Sequence, residues 1–184
     1  MNISETYSKI EKDFKSKKEL VSVKYSFSSD NMFDIIKQTQ DFYESVKTPR
    51  LESRKRIEVH YHNALMHQLF SHLQEIKYYS DVNIFDTRRL VSVSSDCISS
   101  IQILVRKSIH INTYFRSSDF DGALPVDLIL ITSLPKKLFD HLNLMNHLPE
   151  YKEISPKALE SLKQKKIKIN LFFGSLHRTN DISS

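Results

Sequence analysis

Cys97-Ile-Ser-Ser-Ile-Gln102, an apolar alternation to Tyr114, then Phe115-Arg116-Ser117-Ser118-Asp119 and Gly122-Ala-Leu-Pro125 make up the stretch on which the fold turns. Residues 99–106 and 109–115 alternate apolar and polar side chains, the period of half-buried strands, with only Lys107-Ser108 between them. A two-residue hairpin is therefore expected. Pro125 suits the first turn of a following helix, and Val126 to Ser133 is apolar enough for that helix to be buried. The stretch also holds the chain's one cysteine, one of its two glycines and an arginine directly after a strand pattern. A thiol beside a cation is what a nucleophile facing an anionic substrate needs.

On the N-terminal side, residues 1–18 read as a polar helix with Ile3, Tyr7, Ile10 and Phe14 on one face. A strand is expected at 20–27 and a second helix at 31–46, opened by Ser29 or Asp30 and stopped by Pro49. The run Ser53-Arg-Lys-Arg56 leads into a strand pattern at Ile57, Val59 and Tyr61, and a third helix follows at about 63–78. Arg88-Arg89 precede a short strand ending at Val93. On the C-terminal side, Pro135 is expected to break or kink the helix begun at Pro125. Ser155-Pro156 opens another helix, and Ile167, Ile169, Leu171 and Phe173 make a last strand ending at Gly174.

These patterns predict one α+β domain over residues 1–184, with an antiparallel or mixed sheet and helices on one face. The length is enough to close a core, and 40% hydrophobic with 27% charged residues is the balance of a folded globular chain. A net charge of +5 admits an anionic ligand without selecting one. One cysteine excludes an internal disulfide and a cysteine-based zinc cluster, and two glycines exclude a Gly-rich phosphate loop. His60, His62, His67 and His72 lack metal-site spacing, so no metal is expected. The first residues carry no apolar leader and no window is long and apolar enough to span a membrane, so a soluble, cytoplasmic protein is expected.

The hairpin would return Arg116 to the end of the sheet where Cys97 begins, close enough for one cation to favour the thiolate. Arg88 and Arg89 could give bidentate donors to a phosphate, and Ser117 a hydroxyl. Asp119 and Asp127 flank Gly122-Ala-Leu-Pro125. In this order, an arginine pair, a strand, Cys97, Gln102, a hairpin, Arg116-Ser117-x-Asp119, Leu124-Pro125 and a strand ending Gly174-x-x-His177 resemble thymidylate synthase and its deoxycytidylate hydroxymethylase relatives. The resemblance covers about residues 65–133 and 167–181. It leaves 1–60 unassigned, and 135–166 reads as a longer connection than the family has.

The resemblance implies a thymidylate-synthase-like, C-terminally reduced fold and a homodimer. It implies that Cys97 adds to C6 of a pyrimidine deoxynucleotide, dCMP or dUMP, so that C5 takes a one-carbon unit from 5,10-methylenetetrahydrofolate. Arg116 and Ser117 would hold the nucleotide phosphate, joined by Arg88 and Arg89 across the dimer interface. Asp119 would face the folate and His177 the sugar. The position after Leu-Pro-x is Asp127, as in the hydroxymethylases, and a carboxyl there can complement cytosine. Four residues depart from the family pattern: Asp96, Ile98, Ala123 and Thr179. A carboxylate at position 96 disfavours a thiolate beside it. Glu44 and Glu58 are candidates for the family's general acid/base glutamate by position. Two other readings stand beside the enzyme: a family-derived nucleotide-binding or assembly subunit without the chemistry, and a nucleic-acid-binding module using the basic runs at 53–56 and 163–168.

Overall fold

The computed structural model describes residues 1–14, 17–46, 63–74, 91–93, 97–149 and 154–178. The expected strand at 57–61, the run Ser53–Arg56, Glu58, Arg88, Arg89 and Asp96 lie outside them. In chain order the elements are α1 (Ile3–Phe14), β1 (Glu19–Ser29), α2 (Met32–Ser45), α3 (63–74), β2 (Val91–Val93), β3 (Ile98–Val105), β4 (Ile109–Asp119), α4 (Ala123–Met145), α5 (Pro156–Lys163) and β5 (Ile167–His177).

The strands form one mixed sheet in the order β1-β5-β4-β3-β2. β4 and β5 are parallel, so the chain must cross over between them, and α4 with α5 makes that crossover. The other neighbours are antiparallel. One face is apolar: Ile101, Ile103 and Val105 of β3, Ile109, Ile111 and Phe115 of β4, and Ile167, Ile169, Leu171 and Phe173 of β5 are all buried. Helices cover this face, with α4 at its centre, and the fold is α+β with helices on one face.

Several expectations are refined. Val105 pairs with Ile109, so the hairpin loop is the three residues Arg106-Lys107-Ser108, closed by the Arg106 N–H donating to Ser108 O at 2.9 Å. α4 runs unbroken through Pro135. Leu134, Pro135, Leu138 and Leu142 are all buried, and that packing outweighs the lost backbone bond. The last strand does not stop at Gly174 but continues to His177. Ser155 caps α5 as its sequence suggests, its Oγ accepting from Ala158 N at 3.2 Å with Pro156 next in line.

The edge strand β2 is held by α3. The Gln68 side-chain amide donates to Val93 O and accepts from Val93 N, both at 3.0 Å, as a neighbouring strand would.

Four strands break their alternation at one level. The buried residues are odd-numbered up to Phe115 in β4 and Phe173 in β5, and beyond that point they are Ser118 with the strand-ending Asp119 in β4 and Leu176 in β5. In β1 the buried set Tyr25, Phe27 and Ser29 gives way to Leu20, and in β3 Ile101 gives way to Ile98. The residues at the break are Ser99, where the β3–β4 register shifts, and Arg116, Gly174 and Ser22, which the ladders skip. Ser22 has φ 53°. A Cβ at Gly174 would sit 2.7 Å from Arg116 O, closer than real Cβ atoms approach. Only glycine lets β5 lie this close to β4 here.

Gly174→Ala should therefore cost about 1–3 kcal/mol, because the neighbouring backbone must give way. Chemical denaturation checks it, and an unchanged midpoint would contradict the close approach. A second expectation concerns the start of α2. Asn31 caps it through Oδ1, which accepts from Asp34 N at 3.0 Å. Asp34 Oδ2 in turn accepts from Ser29 Oγ, Asp30 N and Gln38 Nε2. These bonds, Ser29 first, hold the Asp34 carboxyl below its ordinary value of 3.8. Its contribution is thus present above pH 3.8 and lost as the pH falls through the lower folded value. Acid titrations of the unfolding free energy should be flatter below that pH in Asp34→Asn than in the parent chain.

Candidate functional site

The break gathers the candidate residues at one end of the sheet. Cys97 is half-buried, immediately before β3, and its carbonyl accepts from the Arg116 N–H at 2.9 Å. The hairpin thus brings these two residues side by side, as its length requires. Arg116 is exposed and Ser117 half-buried. Ser117 pairs with Ser175 across the parallel β4–β5 ladder, and Asp119 pairs with His177. The strand ends that carry arginine, serine, aspartate and histidine therefore adjoin.

Asp119 is buried, and its Oδ1 accepts from Asp121 N at 3.3 Å, which starts the turn into α4. Asp127 is 1% exposed, one turn into α4. The first turn of this helix is capped by Gly122 without a side-chain bond. Ser118 faces the core beside them, and among the described residues its Oγ has no hydrogen-bond partner. Ile98, which follows the thiol, is fully buried on the core side of the sheet. Glu44 is exposed near the end of α2, where its Oε1 accepts from Gln40 Nε2 at 3.1 Å. Among the described residues no group of three or more His, Cys, Asp or Glu could hold a metal ion. Nor is any helix among them long and apolar enough to cross a membrane.

Two features escape a reading of the sequence. Phe120 lies between the rings and charges of distant segments: Tyr7 of α1 stacks on it at 4.6 Å, and the Arg178 guanidinium lies 4.9 Å from its centroid. Tyr7 also donates its hydroxyl to Phe120 O at 3.3 Å, and burial, with Asp121 nearby, pushes its ionisation well above the usual range. Arg178 also lies over Phe14 and within 3.9 Å of Glu11 and Asp121. These contacts tie α1 to the ends of both β4 and β5, next to Asp119 and His177. A cation directly after Gly174-x-x-His177 was the one hint in the sequence. The second feature is a groove of about 470 Å³ between α2 and α4, bordered by Ile36, Tyr43, Ile129 and Lys136. It runs along α4 from Ile129 to Asp140.

Among the described residues, no helix lies over the other face of the sheet. From the hairpin end inward it carries His110 beside Lys168, then the amides Gln102, Asn112 and Asn170, then Tyr114 stacked on Phe172 at 4.7 Å. Asn170 Nδ2 donates to Asn112 Oδ1 at 2.9 Å and Asn112 Nδ2 to Gln102 Oε1 at 3.3 Å, a continuous amide row across three strands.

No protein-family model matches the chain, and no curated protein matches it by sequence. Among solved structures the chain is similar to thermostable thymidylate synthase A from Bacillus subtilis, at 11% identity and a TM-score of 0.48, over 99% of this chain and 82% of that one.

Replacing Arg178 by Met keeps its length but removes its charge from the two rings and two carboxylates. The expected loss is about 1–2 kcal/mol, with faster amide exchange in α1 than in β4. Uniform protection in α1 would show that Arg178 does not hold the helix.

Proposed function

We propose that this protein acts on a pyrimidine deoxynucleotide at the Cys97–Arg116 end of the sheet, transferring a one-carbon unit, methyl or hydroxymethyl, to C5. The observation that carries the reading is the junction of Cys97 and Arg116 across β3 and β4, with Asp119 and His177 paired on the adjoining strand ends. Arg116 would supply a cation beside the thiol, and a nearby positive charge favours the thiolate that attacks C6. Arg116 and Ser117 would bind the phosphate by charge-assisted and hydroxyl hydrogen bonds. His177, half-buried at the end of β5, would meet the sugar.

Asp127 would read the base. A buried carboxyl that holds or shares a proton can donate to cytosine N3 and accept from its amino group, which favours dCMP over dUMP. Asp119 fits a folate in one respect, as a buried acceptor for the paired N–H groups of a pterin. 5,10-Methylenetetrahydrofolate, when bound, would supply the one-carbon unit. Arg88 and Arg89 would complete the phosphate site from a second copy of the chain. The sheet face opposite the described helices is where that copy would pack, since Val21, Val93 and Tyr114 are exposed on it.

The second reading is a nucleotide-binding subunit without turnover. Ile98 favours it: where the resemblance puts a histidine next to the nucleophile, this chain has an apolar side chain sealed into the core. The exposed position of Glu44 favours it too.

Tritium release from C5-labelled dCMP or dUMP with methylenetetrahydrofolate separates the two. The enzyme releases tritium, faster from dCMP, and Cys97→Ala abolishes it. Asp127→Asn should shift the preference toward dUMP. Binding of dCMP without release, weakened at least about tenfold in Arg116→Ala by loss of a charge-assisted contact, establishes the subunit. A folded chain that neither binds nor releases overturns both.

A further inference from the structure

Far from Cys97, at the opposite end of the sheet, two basic segments meet. The hairpin loop carries Arg106 and Lys107, the turn from α5 into β5 carries Lys165 and Lys166, and Lys168 is the second residue of β5. They are about sixty residues apart in sequence and joined in space: Lys165 Nζ donates to Arg106 O at 2.7 Å, and Ile109 N to Lys166 O at 2.8 Å. His110 pairs with Lys168 in the β4–β5 ladder. Opposing these cations is Asp30, 3.8 Å from Lys166 and itself 87% exposed. Lys163, one turn earlier, is already satisfied by Glu160 at 2.8 Å.

We propose that this hairpin-end cluster of Arg106, Lys107, Lys165, Lys166 and Lys168 binds the phosphate backbone of a single-stranded nucleic acid. The positive potential is felt locally. The His110 ring is held below its ordinary value first by burial and then by Lys168 and Arg106, so protonating it beside these charges is disfavoured. The patch is a ridge of flexible ammonium groups rather than a pocket, which suits a strand of repeated phosphates better than one small anion. None of the large exposed apolar side chains of the described residues belongs to the two basic segments themselves, which leaves them little of their own to insert into a lipid surface. The hairpin loop and the start of β5 hold these cations next to one another, and neutralising several phosphates at once releases their counterions.

The test uses the full chain and a fluorescein-labelled oligothymidylate of about 20 nucleotides, read by anisotropy between about 50 and 200 mM salt. Lys107, Lys166 and Lys168 are all exposed, so the combined variant Lys107→Glu/Lys166→Glu/Lys168→Glu should fold. It is expected to bind at least about tenfold more weakly at the lower salt, with the slope of log K against log salt reduced by about 0.7 per lost contact. A matched reversal elsewhere, Lys12→Glu/Lys18→Glu/Lys37→Glu, should bind distinctly better than the patch variant. If the patch variant unfolds, the single substitutions Lys107→Gln and Lys168→Gln should each lower the slope instead. No binding at the lower salt, equal losses in the two reversals, or binding only to phosphatidylserine vesicles overturns the proposal. Nucleotide binding at Cys97 is measured on the same variant and should be unchanged, so failure here leaves the reading of that site untouched.

Discussion

The approach of the Gly174 backbone to Arg116 O is the constraint from which the site follows. Strict alternation continued from Phe115 and Phe173 would send Ser117, Ser175 and His177 into the core beneath the helices. The row of breaks at Ser22, Gly174, Arg116 and Ser99 moves each strand by one position, so Ser118, Leu176, Leu20 and Ile98 take the core places instead. A break in one strand alone would cost its ladder bonds with two neighbours. Placed at one level in β1, β5 and β4, the breaks leave the ladders between these three strands in register, and the β3–β4 ladder shifts by one residue at Ser99. The sheet can therefore be continuous and still present polar residues at one end.

That end is also where the chain's extremities converge. Phe120, the residue after Asp119, carries Tyr7 on one side and Arg178 on another, so the first helix and the last described strand are fastened to the same turn. The turn opens α4, whose next residues include Asp127. A displacement of α1 would thus be felt at the buried carboxylates through one aromatic side chain. The same arrangement accounts for the burial of Asp119 even though it ends a strand.

Much of this architecture could be read from the residues. The alternation in 99–115 and 167–173, the Ser155-Pro156 helix start and the apolar helix after Pro125 all follow from local periodicity and capping. What could not be read is non-local. Pro135 signals a break, yet burial on most sides of α4 keeps the helix continuous through it. The parallel pairing of β4 with β5 depends on the path of the crossover, which no period in the sequence encodes. The break row is invisible residue by residue: a serine, a glycine, an arginine and a serine share no pattern until the strands are aligned. At the site, the order of residues placed Cys97 beside Arg116 because a hairpin must. Phe120 and Arg178 join segments from both ends of the chain, and no spacing foretells them.

The sheet face opposite the described helices decides how the two proposed surfaces can coexist. Its chemistry is graded: cations at the hairpin end, a hydrogen-bonded amide row in the middle, and apolar and aromatic groups at the site end, where Val21, Val93 and Tyr114 are exposed. A second copy centred on the middle of this face would bring Lys168 and His110 toward like charges and bury amides already bonded to one another, gaining little. A copy shifted toward the site end buries the exposed apolar groups and avoids the cations. It would also bring the two Cys97 ends toward each other, as the proposed role of Arg88 and Arg89 across an interface requires. The hairpin ends are then left pointing outward on both copies, free to follow a strand of phosphates. The gradient along one sheet face thus separates the surface suited to a second copy from the surface suited to a polyanion.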